Sequence, residues 1–140
     1  MRKLLIISVL CFCSDMYAQN IIGTWKRISS VLEYTNGKSD DLQKNLASTF
    51  PCSSDIKYVF ENSGKHSMIL PKGCGNFPNI TADWKMTGSN LFMTQKVGQQ
   101  VTNTNYEVSF SGKIMTMVHN YTEAEKSPKT KRLVIKYEKL

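Results

Sequence analysis

Short runs in which apolar and polar residues alternate, separated by clusters of Gly, Asn, Ser and Pro, recur along the chain from residue 22 to residue 138. Alternation with a period of two is the mark of strands that put one face in a core and the other in water. It predicts eight strands, over residues 22–33, 56–60, 65–70, 82–86, 91–96, 102–110, 113–121 and 132–138. Eight is the count of a minimal barrel, and closing the sheet removes the unpaired edges an open sheet exposes. The expected fold is therefore all-β: an eight-stranded antiparallel up-and-down barrel spanning residues 19–140.

The turn residues set candidate registers. A hairpin turning at Asn62-Ser63-Gly64 opposes Tyr58 to Met68, Phe60 to His66 and Ile56 to Leu70, giving one face that is apolar except for the histidine. Gly64 suits the left-handed position of a three-residue loop. Cys52 and Cys74 are equidistant from Ser63, so the same register brings them together at the open ends of the hairpin. Gly88-Ser89 joins Trp84 and Met86 to Leu91 and Met93, and Ser111-Gly112 joins Tyr106 and Val108 to Met115 and Met117. The opposite faces carry Asp83, Lys85, Thr87, Glu107, Ser109 and Thr116, as a wall wetted on one side should.

Helical spacing occurs in one place, between the first two predicted strands. Leu42, Leu46 and Phe50 recur every four residues, and Asp40 with Gln43 three positions on can cap a short helix. Such a helix would close one mouth of the barrel, as a fixed plug or as a movable lid.

The first residues read as a targeting segment. Arg2 and Lys3 precede an apolar run over residues 4–12, and Met16-Tyr17-Ala18 ends in a small residue. This is the pattern of a secretory signal peptide cleaved after Ala18, which implies a secreted or periplasmic protein. A rival reading makes Cys13 the lipid-bearing cysteine of a lipoprotein, although the bulky Phe12 before it argues against this. Cleavage would leave Cys52 and Cys74 as an even pair in an exported chain, which favours a disulfide over a metal or redox site. The formal net charge of the whole chain is +7. Its basic residues are scattered, with a cluster only at Lys126, Lys129, Lys131 and Arg132.

Several of these features together resemble a known family. Gly23-Thr24-Trp25 opens the first strand, Asp55 follows Cys52 by three residues, and Gly64 follows Phe60. Cys74 comes next, and then Trp84-Lys85-Met86-Thr87-Gly88-Ser89-Asn90-Leu91. In that order and spacing they are similar to the secreted bacterial lipocalin-like domains of the lipocalin and fatty-acid-binding superfamily. The resemblance covers nearly all of residues 20–140. It implies a calyx-like barrel, no catalytic machinery and small hydrophobic molecules as cargo. It also implies that Gly23 and Trp25 close one end, with a cation from the last strand on the indole face. Arg132 is the best positional candidate for that cation, with Lys131 and Lys136 competing. The middle triplet typical of lipocalins is absent, and Thr104-Asn105-Tyr106 is only a distant echo of it.

Candidate chemistry is sparse. With both cysteines paired, His66 and His119 are the only nitrogen donors left for a metal, too few for a site. No Gly-x-Ser-x-Gly elbow, phosphate-cradling loop or nucleic-acid motif is present, so neither an enzyme nor a cofactor is expected. The inward face is more telling. Tyr58, Met68, Trp84, Met86, Met93, Tyr106, Met115 and Met117 would point inward, and flexible methionines suit a pocket that accepts several apolar shapes. The same side chains would equally fill a solid core. Arg27 follows Trp25 by two positions, so strict alternation aims it inward, where it could pair with an anion. A bulge would instead turn Arg27 to solvent and bring Ile28 in. The expected function is non-catalytic binding of a small hydrophobic or amphiphilic ligand, with Arg27 and His66 as polar anchors. The alternative is a solid scaffold whose outer loops, over residues 75–81 and 122–131, bind a protein or a cell-surface polymer.

Overall fold

In the computed structural model residues 20–125 and 129–140 are described. The expected cleavage after Ala18, the Cys13 alternative and Lys126 fall outside them.

The alternating runs all become sheet. In chain order the strands are β1 (Gly23–Tyr34), β2 (Ser39–Asp41), β3 (Lys57–Phe60), β4 (Lys65–Ile69), β5 (Thr81–Thr87), β6 (Asn90–Val97), β7 (Gln100–Ser111), β8 (Ile114–Asn120) and β9 (Thr130–Lys139). From β3 to β9 each strand pairs antiparallel with the next. β1 pairs with β3 along one edge and β9 along the other, so eight strands close a barrel. β2 is a three-residue addition on the later half of β1, opposite Val31, Leu32 and Glu33. Helix α1 (Leu42–Thr49) and a 3-10 turn (Pro51–Asp55) then lead to β3, so the helix lies between the first two barrel strands as expected.

The hairpin around Ser63 has the expected register, Tyr58 opposite Met68 and Phe60 opposite His66. Beyond its ladder Cys52 and Cys74 form a disulfide with a Cα–Cα distance of 5.7 Å. Gly64 takes φ +81°, and a side chain there would press on the Trp84 carbonyl oxygen at 3.2 Å. That crowding arises because the Trp84 amide donates to the Gly64 carbonyl at 2.8 Å.

Two local expectations shift by one residue. The β7–β8 turn is Gly112-Lys113 rather than Ser111-Gly112, so Val108 faces Met117 and Phe110 faces Met115. Gly112 takes φ +57°, the positive value that the first position of a type II′ turn requires and that a serine there would resist. The helix is capped by Asp41, whose carboxylate accepts from the Lys44 amide at 2.9 Å. The Asp40 carboxylate is taken up elsewhere, accepting from the Tyr34 hydroxyl.

The two ends of the barrel are built differently. At one end lie the β3–β4, β5–β6 and β7–β8 turns, the start of β1 and the end of β9. Trp25, Ile21, Phe60, Leu91, Val108 and Met115 are almost wholly buried there. The Trp25 indole donates to the Ile21 carbonyl at 2.7 Å. The cation over its face is Lys139, with Nζ at 5.1 Å from the ring. Arg132 is not that cation. It sits opposite Glu33 in the β1–β9 ladder and makes a two-pronged ion pair with it, at 2.7 and 3.1 Å. The ladder places Lys139 beside Trp25 and Arg132 seven positions away, further than any arginine side chain reaches.

Candidate ligand cavity

At the other end the interior is hollow. A cavity of about 200 Å3 is lined by Arg27, Tyr58, Phe60, His66, Met68, Met93, Gln95, Thr104, Tyr106, Met117, Ile135 and Tyr137 from the strands. Leu46 of α1, Phe77 and Ile80 of the β4–β5 connection and Ala82 of β5 complete it. Phe50, just past the helix, meets Phe77 edge to face at 5.5 Å. The disulfide joins the 3-10 turn that follows α1 to the connection that carries Phe77. The roof over the cavity is thus two segments held by one covalent bond.

Arg27 is the central polar group. The β1–β9 register does shift after it, yet the extra residue in the bulge is Ile28, which is 45% exposed, while Arg27 stays on the inner face opposite Tyr137. Its guanidinium lies 5.3 Å from the centre of the Tyr58 ring, a cation on an aromatic face. Its Nε donates to Oε1 of Gln43 on α1 at 2.6 Å. Gln43 is neutral, and among the described residues no carboxylate lies within ion-pair distance of Arg27. A half-buried guanidinium thus stands without a counter-charge, an arrangement that favours an incoming anion.

Around it are three phenols. Tyr58 and Tyr137 meet edge to face at 5.2 Å, and burial pushes the pKa values of Tyr58, Tyr106 and Tyr137 up. All three are neutral hydroxyls at physiological pH and can donate hydrogen bonds.

His66 is the second unusual group. It is 8% exposed, packed 4.6 Å from Phe60 and 6.1 Å from Tyr58, and its Nδ1 has no hydrogen-bond partner. Burial lowers its pKa to about 4, so the imidazole is neutral at pH 7. His119, at the rim, differs in having partners on both sides: Nδ1 to the Asn105 carbonyl at 2.7 Å and Nε2 to Glu125 at 3.5 Å. Among the described residues no three metal-ligating side chains gather.

The residues expected to form the site divide by depth. Arg27, Tyr58, His66, Met68, Met93, Tyr106 and Met117 come together around the cavity. Met115 is fully buried in the solid end, while half-buried Trp84 and Met86 pack against the core outside the lining. The Trp84 indole donates to the Lys65 carbonyl at 3.0 Å. Lys129 and Lys131 of the expected outer patch are exposed. Gln95, Thr104, Ile135 and Tyr137 were missed. The alternation that marks Met93 and Tyr106 continues through Gln95 and Thr104 and would have found them, and in the last predicted strand the same step of two joins Ile135 to Tyr137. For Gln43, Leu46, Phe77 and Ile80 the strand pattern carries no signal.

Comparison with protein-family models, with curated proteins and with solved structures finds no match to this chain. The functional reading therefore stands on the cavity.

Proposed function

We propose that this protein is a non-catalytic, exported, lipocalin-like binding protein that holds a small hydrophobic or amphiphilic ligand inside its barrel. The observation that carries this reading is the roofed cavity of about 200 Å3 with an unneutralised arginine at its wall. A barrel needing only a core would fill that space with side chains, as the other end does. Met68, Met93 and Met117 give the wall adaptable apolar contacts, and Arg27 gives it orientation. The Cys52–Cys74 disulfide suits an oxidising compartment.

The test is direct. Protein purified without detergent is analysed by native mass spectrometry and then titrated with n-alkyl carboxylates, alcohols and amines while its unfolding temperature is followed. Binding of any of these in one-to-one ratio, reduced when Met117→Trp fills the cavity, supports the proposal. An empty barrel that none of the probes stabilises refutes it.

A further inference from the structure

Along β8 the residues Met115, Met117 and His119 alternate inward, and each is buried. The β7–β8 ladder stops at Glu107 and Val118, so His119 stands just past its last rung, at the hollow end. There its Nδ1 lies 2.7 Å from the backbone carbonyl oxygen of Asn105 on β7. A carbonyl oxygen only accepts, so Nδ1 carries a proton in every state that keeps this bond. The other ring nitrogen, Nε2, is then a bare lone pair when the imidazole is neutral and an N–H donor when it is charged.

Nε2 faces Oε1 of Glu125 at 3.5 Å. Glu125 belongs to the turn that follows β8. Its Oε2 accepts from both the amide and the hydroxyl of Thr122 at 2.8 Å, and its own amide donates to the Thr122 carbonyl at 3.1 Å. These bonds from Thr122, with the imidazole beside them, hold the Glu125 carboxyl below the usual carboxylate range, so it is ionised near neutral pH. A carboxylate is repelled by a bare lone pair, whereas with an imidazolium it makes a charge-assisted bond. The other groups around the ring leave this contrast intact. Tyr121 at 4.7 Å and Tyr106 of β7 at 5.8 Å are phenols that burial keeps neutral. On β9 the residue opposite His119 is apolar Leu133, the adjoining Arg132 is occupied by Glu33, and Lys131 is exposed. Glu123, the second carboxylate of the turn, is exposed as well.

We infer that His119 is a proton-operated latch: its second proton bonds the Thr122–Glu125 turn to the barrel wall at the hollow end, and loss of that proton releases the turn. The direction follows from the tautomer. With Nδ1–H committed to Asn105, the contact with Glu125 is attractive on the acid side of the imidazole's titration and repulsive on the alkaline side. It fails again in stronger acid, when Glu125 itself takes up a proton. The latch is distinct from His66, whose buried ring gains its proton only at about pH 4. It does not depend on whether the barrel holds a ligand, although Tyr106, which touches His119, also lines the cavity.

Nuclear magnetic resonance of the isotope-labelled protein tests each part. The ring nitrogen shifts at about pH 8 should show neutral His119 as the Nδ1–H tautomer. As His119 charges between about pH 8 and pH 5.5, amide exchange of Thr122 and Glu125 should slow by about two- to fivefold beyond the intrinsic effect of pH, the range for an ion pair so placed. The amides of Tyr58 and Phe60 in β3 should show no such step. Glu125→Gln should abolish or reverse the effect, because a carboxamide N–H donates to the neutral ring and not to the charged one. His119→Gln should abolish it too; should that variant not fold, Glu125→Gln, at the surface, decides alone. An Nε2–H tautomer in the neutral protein overturns the inference. So does turn exchange that ignores the charge of His119, or a response that survives Glu125→Gln unchanged.

Discussion

The two ends of this barrel use the same strands and the same alternation, yet one is solid and the other hollow. Met115 and Met117 stand two positions apart on β8, both facing inward and both buried. One packs in the core around Trp25; the other borders the cavity. A step of two residues, about 7 Å, separates core from vessel. The difference lies in what closes each end. Tight two-residue turns occur at both ends, but at the solid one the Trp25 and Ile21 side chains fill the space between the walls. At the hollow end a helix and a long loop span the gap, with only Lys65 and His66 of β4 paired to β5.

Four experiments sharpen or break that contrast. Trp25→Ala, at the heart of the solid end, should cost about 3–5 kcal/mol, read from the midpoint of urea unfolding. A loss below about 1 kcal/mol would mean that the core is not centred there. Replacing Cys52 and Cys74 together by serine should cost about 3 kcal/mol in the chain-entropy model. The loss should come with faster amide exchange in α1 and the Phe77 loop than around Trp25, and uniform exchange would deny the roof its separate character.

Acid should act mainly on the hollow end. His66 is held neutral in the folded protein down to about pH 4, whereas the unfolded chain takes up that proton near pH 6.5. Its contribution is therefore whole above pH 6.5 and is lost as the pH falls towards 4, by on the order of 3 kcal/mol in all. His66→Gln should flatten unfolding free energy against pH across that window; an unchanged slope would show that His66 is not the sensor. The smallest expected effect is the most specific comparison. Met115→Ala and Met117→Ala remove the same atoms, but the second enlarges a space that already exists. Met115→Ala should cost the more, by about 1–2 kcal/mol, within the ~2–5 kcal/mol usual for such truncations. Equal losses would mean that the hollow end is packed as tightly as the other.

Much of this was legible in the residue order. Period-two alternation located every barrel strand to within a few residues, and the symmetry about Ser63 identified the disulfide. Seven of the inward residues singled out from the pattern do meet around the cavity. Where the reading slipped, a local competitor was responsible. Gly112 claimed the first turn position because only glycine takes its φ cheaply, and the Asp40 carboxylate accepts from the Tyr34 hydroxyl while that of Asp41 caps the helix.

The chain itself therefore determined its strands, its turns, the face each side chain takes and the partner of each cysteine, because these depend on neighbours a few positions away or on symmetry about a turn. Depth along the barrel axis was decided only in three dimensions. So were the choice of Lys139 over Arg132 for the Trp25 face, the meeting of Arg27 with Gln43 and the orphaning of His66. The first follows from how β1 closes on β9, the second from how the helix falls across the mouth, and the third from the Phe60 and Tyr58 rings packed around the imidazole. Alternation says which way a side chain points; only closure of the sheet says what it finds there.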